Sequence, residues 1–275
     1  MSERLLEILA DLNIKFQPID ESNKSKVELE VEFANNNPGN LYENEHNCEI
    51  CKNKRLVYFV AKDEKGAEFM AARECKCMAT IRTLRRAKRS GLGNILTDYT
   101  FAKYETPEDW QSAIKAKAQA FCKDDLAKWF YIGGQTGAGK THLCTAICGH
   151  YIKKGLDCQY MLWRDDAAML KAAVTDFEAY QKHIARFKDA PVLYIDDFWK
   201  TQDKSAPTQG DVNLAFEILN YRIMAEDKTT ILSSEFTIAE ALAFDEATIG
   251  RIYHRTGDYK INIDRDMGKN YRLKA

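Results

Sequence analysis

No stretch of this 275-residue chain approaches the roughly 20 consecutive apolar residues that a membrane span needs. No helical span is expected, and no membrane partner. The first residues, Met-Ser-Glu-Arg-Leu-Leu, lack a signal-peptide pattern, so a cytoplasmic location is expected. Net charge is nearly absent too: 40 Lys and Arg stand against 41 Asp and Glu, a balance of −1. Bulk charge therefore announces no nucleic-acid partner. Internal repeats and long low-complexity tracts are missing as well, which excludes a repeat array. What remains is an ordinary globular balance, 45% hydrophobic and 29% charged, long enough for one sizeable domain and a smaller one.

Charge is nevertheless unevenly spread. Residues 17–49 are rich in Glu, Asp and Asn, whereas residues 73–89 hold seven Lys and Arg against one Glu. Arg4–Leu12 reads as a short amphipathic helix, and Pro38-Gly39 as a turn. Val57–Val60 and Glu68–Met70 read as short strands around Asp63–Gly66, and Thr80–Lys88 as a basic helix. Residues 91–125 read as a linker with one helix near 110–121. From Lys128 strands and helices alternate. Strands are expected at 128–133, 158–163, 191–196, 229–234 and 259–263, and helices near 140–154, 165–187, 211–225 and 245–255. This alternation predicts an α/β domain with a parallel sheet of five strands, helices on both faces.

Gly134-Gln-Thr-Gly-Ala-Gly-Lys-Thr141 satisfies every fixed position of the phosphate-loop pattern G-x-x-x-x-G-K-[ST]. Its glycines let backbone N–H groups wrap phosphates. Lys140 can reach the β- and γ-phosphates, and the Thr141 hydroxyl can hold Mg²⁺. An apolar run before the loop and a helical pattern after it supply the strand-loop-helix context that favours anions. ATP with Mg²⁺ is the expected ligand. The expected contacts run from Gly134 through Gln135, Thr136, Gly137, Ala138, Gly139, Lys140 and Thr141 to His142.

Pro191-Val-Leu-Tyr-Ile-Asp-Asp197 is an apolar strand ending in two carboxylates, with Asp196 falling 56 residues after Lys140. Asp196 is expected to face Mg²⁺ with Thr141, and Asp197 to polarise the attacking water as general base. The plainer reading has both carboxylates capping the next turn. Thr229–Ser234 ends in hydroxyls, and Ser234 is placed to contact the γ-phosphate or the water. Arg251 and Arg255, four apart, share a helix face. They serve either as a solvated basic surface or as an arginine presented to a neighbouring subunit's ATP.

Of eight cysteines, four form two pairs: Cys48-x-x-Cys51 and Cys75-x-Cys77. In a cytoplasmic protein these read as thiols or metal ligands rather than disulfides. Joined by a short hairpin, the pairs make a four-thiolate Zn²⁺ site. Four thiolates leave no open position, so the metal would be structural; a redox dithiol or free thiols are the alternatives. Cys122, Cys144, Cys148 and Cys158 read as buried small residues.

Together these motifs resemble the bacterial and phage helicase loaders of the DnaC/DnaI type, a branch of the AAA+ ATPases within the IstB-like superfamily. The resemblance runs from about Ser90 to Arg272. It is carried by Ser90-Gly-Leu92, Phe101, Gly134–Leu143, Tyr194–Phe198, Phe216–Arg222, Thr230–Ser234, Arg251–Arg255 and Asn270-Tyr-Arg272. The N-terminal cysteine pairs resemble the zinc-binding, helicase-contact domain of the DnaI-type loaders. The resemblance implies an AAA+ P-loop domain in three layers at 126–275, behind an N-terminal region at 1–90. It implies a weak ATPase that delivers a hexameric replicative helicase onto single-stranded DNA, during replication initiation or restart in the primosome. Sensor roles follow for Ser234 and Arg272, and a finger role for Arg255 or else Arg251. Self-assembly on ATP or DNA is expected. Asp197 replaces the Glu common in AAA+ proteins, as it does in loaders. The chain stops soon after the fifth strand, so no helical lid is expected.

Three other functions compete. An IstB-type transposition helper would bind duplex DNA and recruit a transposase. A small-molecule kinase would need an arginine-rich lid insertion. A non-hydrolysing nucleotide-binding module would not need Lys140, Asp196 and Arg255. The basic stretch Arg73–Arg89 fits DNA phosphates, an acidic partner or plain solvation. Trp163, Tyr180 and Tyr160 are either core residues or platforms for stacked bases.

Overall fold

The computed structural model describes residues 24–39, 48–201 and 206–273. The helix expected over Arg4–Leu12 lies outside the described residues. The chain divides into two compact units, Met1–Ile81 and Arg82–Ala275.

The first unit holds helix α1 (Lys26–Asn36) and the antiparallel hairpin β1 (Leu56–Lys62) and β2 (Glu68–Glu74). The polar composition of this region hides α1, but its start is explicit. The Ser25 hydroxyl accepts from the Glu28 amide at 3.2 Å while the Glu28 carboxylate accepts from the Ser25 amide at 2.6 Å. That reciprocal cap satisfies two orphan donors. Asn35 then pairs with Tyr58 through both its amide atoms, at 2.9 and 3.0 Å, as a strand neighbour would. The hairpin turn falls where Asp63–Gly66 placed it; both strands run further than expected, to Lys62 and Glu74. The basic helix α2 (Cys77–Arg89) starts three residues early and brings Cys77 and Ile81 into the buried cluster of this unit.

The second unit is built on a parallel sheet of order β4-β5-β6-β3-β7. Its strands are β3 (Trp129–Gly134), β4 (Cys158–Leu162), β5 (Val192–Phe198), β6 (Thr229–Ser234) and β7 (Lys260–Ile263). This confirms the α/β fold class. Strand β3, between β6 and β7, is buried throughout, and its side chains alternate between two cores. Phe130 and Ile132 pack with α4 (Asp109–Lys123) and α5 (Lys140–Lys153); Trp129 and Tyr131 pack on the opposite face. That period of two follows from the pleat. The opposite face is covered by α6 (Trp163–Ala172), α7 (Phe177–Lys188), α8 (Gln209–Met224) and α10 (Glu246–Thr256). Two short helices, α3 (Ile95–Asp98) and α9 (Ile238–Leu242), complete the unit.

Two expectations change. The single helix over 165–187 is two helices, because a 3-10 turn at Ala173–Thr175 closes α6 and Asp176 caps α7 through the Ala179 amide at 3.1 Å. Residues 91–125 are more than a connection: Leu92, Tyr104, Ile114 and Phe121 are buried with α5 and the sheet.

One buried cation ties this unit together. Arg222, on α8, is fully buried. Its Nε donates to Thr230 Oγ1 at 2.9 Å. Its Nη atoms donate to the carbonyls of Phe187, Lys188, Ala190 and Thr229 at 2.6–3.0 Å. Burial lowers its pKa to about 10, still charged at neutral pH. Replacing it strands several buried acceptors at roughly 1–3 kcal/mol each. Arg222→Met is therefore expected to lose at least about 3 kcal/mol of stability in urea unfolding. A shift under about 1 kcal/mol would refute this role for the guanidinium.

Candidate functional site

Strand β3 ends at the phosphate loop, and α5 begins at Lys140. Gly134 has φ +108°, and a Cβ there would lie 2.0 Å from the Ile263 carbonyl oxygen. Gly137 has φ +76°, and its Cβ would lie 1.9 Å from Asn270 Oδ1. Only glycine fits either position. Lys140 is 7% exposed, and its ammonium donates to the carbonyls of Gly134 at 2.9 Å and Gln135 at 2.7 Å. Burial draws its pKa down to about 8, against the pull of Glu235, Asp197 and Asp196.

Asp196 is the hub of the acidic end. Its Oδ1 accepts from Thr141 Oγ1 at 3.2 Å and from the Ser233 hydroxyl, and its Oδ2 accepts from the Tyr160 hydroxyl at 3.1 Å. A carboxylate beside the loop hydroxyl is the donor set that suits Mg²⁺. Asp197 follows with φ +53°, where the pairing of β5 with β6 shifts register. Its carboxylate lies 2.9 Å from Lys200 Nζ, which also meets Glu235 Oε1 at 3.0 Å.

Ser234 is placed differently from the expectation. Its hydroxyl donates to the Phe198 carbonyl at 2.8 Å and accepts from the Phe236 amide at 3.1 Å. Neighbouring residues of a strand point to opposite faces, so Ser233 reaches Asp196 and Ser234 does not. Glu235, one residue on, faces the nucleotide cavity.

That cavity, about 440 Å³, is lined by Thr136–His142, Asp197, Lys200, Glu235, Arg272 and an aromatic wall. Its volume suits a small organic ligand. His142 stacks on Tyr99 with centroids 4.8 Å apart and meets Tyr104 edge-on at 5.1 Å. Its Nε2 lies 2.8 Å from the Thr100 carbonyl. These rings offer a flat apolar face for a base. Gly134 and Gln135 do not line the cavity. Gln135 instead accepts the Asp266 amide at 3.0 Å. The segment after β7 returns over the loop: the Tyr271 amide donates to the Gly137 carbonyl at 3.0 Å, and the Tyr271 hydroxyl donates to Glu105 Oε2 at 2.7 Å. This return brings Arg272 to the cavity.

Arg251 and Arg255 do not line the cavity of their own chain. Arg251 donates to Asn220 Oδ1 at 2.8 Å and lies over the Phe216 ring. The Arg255 side chain, on the same helix, makes no hydrogen bond or ion pair among the described residues. Of the candidate stacking residues, Trp163 is core, Tyr160 is held by Asp196, and Tyr180 donates to Glu217 at 2.5 Å.

In the first unit the four thiols of Cys48, Cys51, Cys75 and Cys77 are buried and lie within 4.8 Å of one another. Cys48–Cys75 and Cys51–Cys77 are separated by 3.8 and 3.7 Å. Four sulfurs about 2.3 Å from a tetrahedral Zn²⁺ would sit about 3.8 Å apart, so the cluster fits that ion. Left-handed residues Lys52, Asn53 and Arg55 fold the first pair back on itself, and the Arg55 amide donates to Cys51 Sγ at 3.3 Å. The Cys51 amide lowers the Cys48 thiol to about 7. Cys122, Cys144, Cys148 and Cys158 are buried, as expected. Purified, reduced protein should carry about one Zn²⁺ per chain. Cys48→Ser with Cys77→Ser should lose it and unfold residues 48–90, leaving residues 126–275 folded. Elemental analysis finding no metal would refute the site.

Residues 65–275 match the family described as IstB-like ATP binding protein. Two relatives come from Bacillus subtilis (strain 168). The uncharacterized protein YqaM is 30% identical over 231 residues, 79% of this chain and 72% of that one. The phage-like element PBSX protein XkdC is 29% identical over 209 residues, 72% of this chain and 76% of that one. The crystal structure of the DnaC helicase loader superposes with a TM-score of 0.52 at 17% identity, covering 63% of this chain and all of that one. The chain belongs to the IstB-like ATP-binding family, and its second unit has the AAA+ P-loop fold.

Proposed function

We propose that this protein is an ATP-dependent loader that delivers a replicative DNA helicase onto single-stranded DNA. The observation that supports this most is a complete nucleotide site, with Lys140 behind the loop and Thr141 bonded to Asp196, in a chain that shares the DnaC loader's fold. In this reading Lys140 exchanges its two loop carbonyls for phosphate oxygens. Thr141 and Asp196 would hold Mg²⁺, whose charge would support phosphoryl transfer. Asp197 orients the attacking water, while Tyr99, Tyr104 and His142 seat the base. Ser233 holds Asp196, while Ser234, expected at the γ-phosphate or the attacking water, bonds the Phe198 carbonyl instead. Arg272 contributes from the returning C-terminal segment and Arg255 from a neighbouring chain.

The N-terminal region, residues 1–90 with its cysteine module, serves as the helicase contact, and residues 126–275 as the ATPase. Among the described residues no helix is long and apolar enough to cross a membrane. The IstB-like match keeps a second reading, a transposition helper acting on duplex DNA. Full-length protein should capture the replicative helicase from the same source, and the Cys48→Ser, Cys77→Ser variant should not. Capture of duplex DNA and a transposase, without helicase, would favour the second reading.

A further inference from the structure

The phosphate end of the cavity holds more charge than the loop motif requires. Asp197 and Glu235 face it, and Asp196 lies behind Thr141. Two lysines answer them. Lys140 is bonded to the loop carbonyls. Lys200 bridges the carboxylates of Asp197 at 2.9 Å and Glu235 at 3.0 Å. Burial works to lower the Lys200 pKa, but the two carboxylates outweigh it and raise it, so the ammonium stays charged.

Its position is built into the backbone. Asp197 and Trp199 are both left-handed, with φ +53° and +64°. The Lys200 amide donates to the Asp197 carbonyl at 2.9 Å, and Trp199 is fully buried, stacked on Phe198 at 4.7 Å. Two left-handed non-glycine residues within three positions are unfavourable. They are held by this packing, and they turn the chain so that Lys200 comes back to the cavity. Strain kept in such a place marks function.

We propose that Lys200 makes the site selective for a nucleoside triphosphate over the diphosphate, an inference that rests on the ATP-site reading above. Without this ammonium, Asp197 and Glu235 would present two uncompensated carboxylates to a terminal phosphate, and like charges repel. With it, both are screened and one more cationic donor faces the cavity. A diphosphate lacks the group that meets these carboxylates, so its binding depends on Lys140 and the loop amides.

The test is the affinity of full-length protein for a non-hydrolysable ATP analogue and for ADP, each with Mg²⁺, measured by calorimetry. Lys200→Ala should weaken the analogue about tenfold or more, the scale of one charge-assisted hydrogen bond, and ADP less than about threefold. Lys200→Arg should recover most of the loss. Glu235→Gln should move the ratio the other way, toward the triphosphate, because one repelling carboxylate is gone. Equal losses for both nucleotides, or an unchanged ratio in Lys200→Ala, would overturn the assignment. Wild-type protein that binds neither nucleotide would instead overturn the ATP site itself, and the Lys200 assignment with it.

Discussion

Lys140→Ala is expected to lose nucleotide binding by about a hundredfold or more and to abolish hydrolysis. The ammonium is the one cation placed inside the loop, and the fold holds it there through the Gly134 and Gln135 carbonyls. Its removal leaves phosphate charge beside Asp196 and Asp197 with nothing from the loop side chains to oppose it. Charge-assisted contacts of this kind in a water-poor site account for such losses. Asp197→Asn separates binding from chemistry. It keeps the shape of the turn and removes one carboxylate from the cavity, so nucleotide binding should not weaken. Turnover should fall about 10²–10⁴-fold, the usual contribution of a general base. Equilibrium binding and steady-state hydrolysis read the two effects independently. Normal turnover by the Lys140 variant would refute the site, and normal turnover by Asp197→Asn would move the base elsewhere.

The second large effect concerns Arg255. It lies on α10, does not line its own cavity and has no intrachain ion-pair partner among the described residues. A side chain so placed can act on a neighbour's nucleotide. Trans-acting arginines contribute ~10³–10⁵ in rate, and a weak ATPase would show less. Arg255→Ala should therefore lower turnover while affinity stays within about twofold. Turnover per wild-type chain should rise with protein concentration or on adding single-stranded DNA. Mixing Lys140→Ala chains with Arg255→Ala chains should restore some activity, since an intact composite site forms where they meet. Arg251→Ala should be milder, because Arg251 already bonds Asn220 and covers Phe216. No restoration on mixing, with turnover independent of concentration, would exclude the finger role.

Strong local signals were legible in the sequence. The five strands fall within about two residues of their expected positions, because each is a short apolar run bounded by turns. The cysteine pairs converge as their spacing implied. The region of α1 was masked by its polar composition, although Ser25 and Glu28 carried a capping signal that could have been read. Asp176 likewise marked the break between α6 and α7. The choice of Ser233 over Ser234 depends on which face each hydroxyl takes after the register shift at Asp197, and no motif encodes that. Tyr99, Tyr104 and Tyr271 reach the cavity from segments 30 residues before and 130 residues after the loop, so only tertiary packing assembles that wall. Lys200 is invisible for the same reason: its role arises from two left-handed residues that local propensity would not favour.

The most direct measurement is helicase loading onto closed circular single-stranded DNA. An unbroken circle has no end to thread, so a hexameric ring encloses it only after being opened. Wild-type protein with ATP should leave the replicative helicase from the same source stably on the circles. The Lys140→Ala and the Cys48→Ser, Cys77→Ser proteins should not. Equal helicase retention with and without this protein would contradict a loader function.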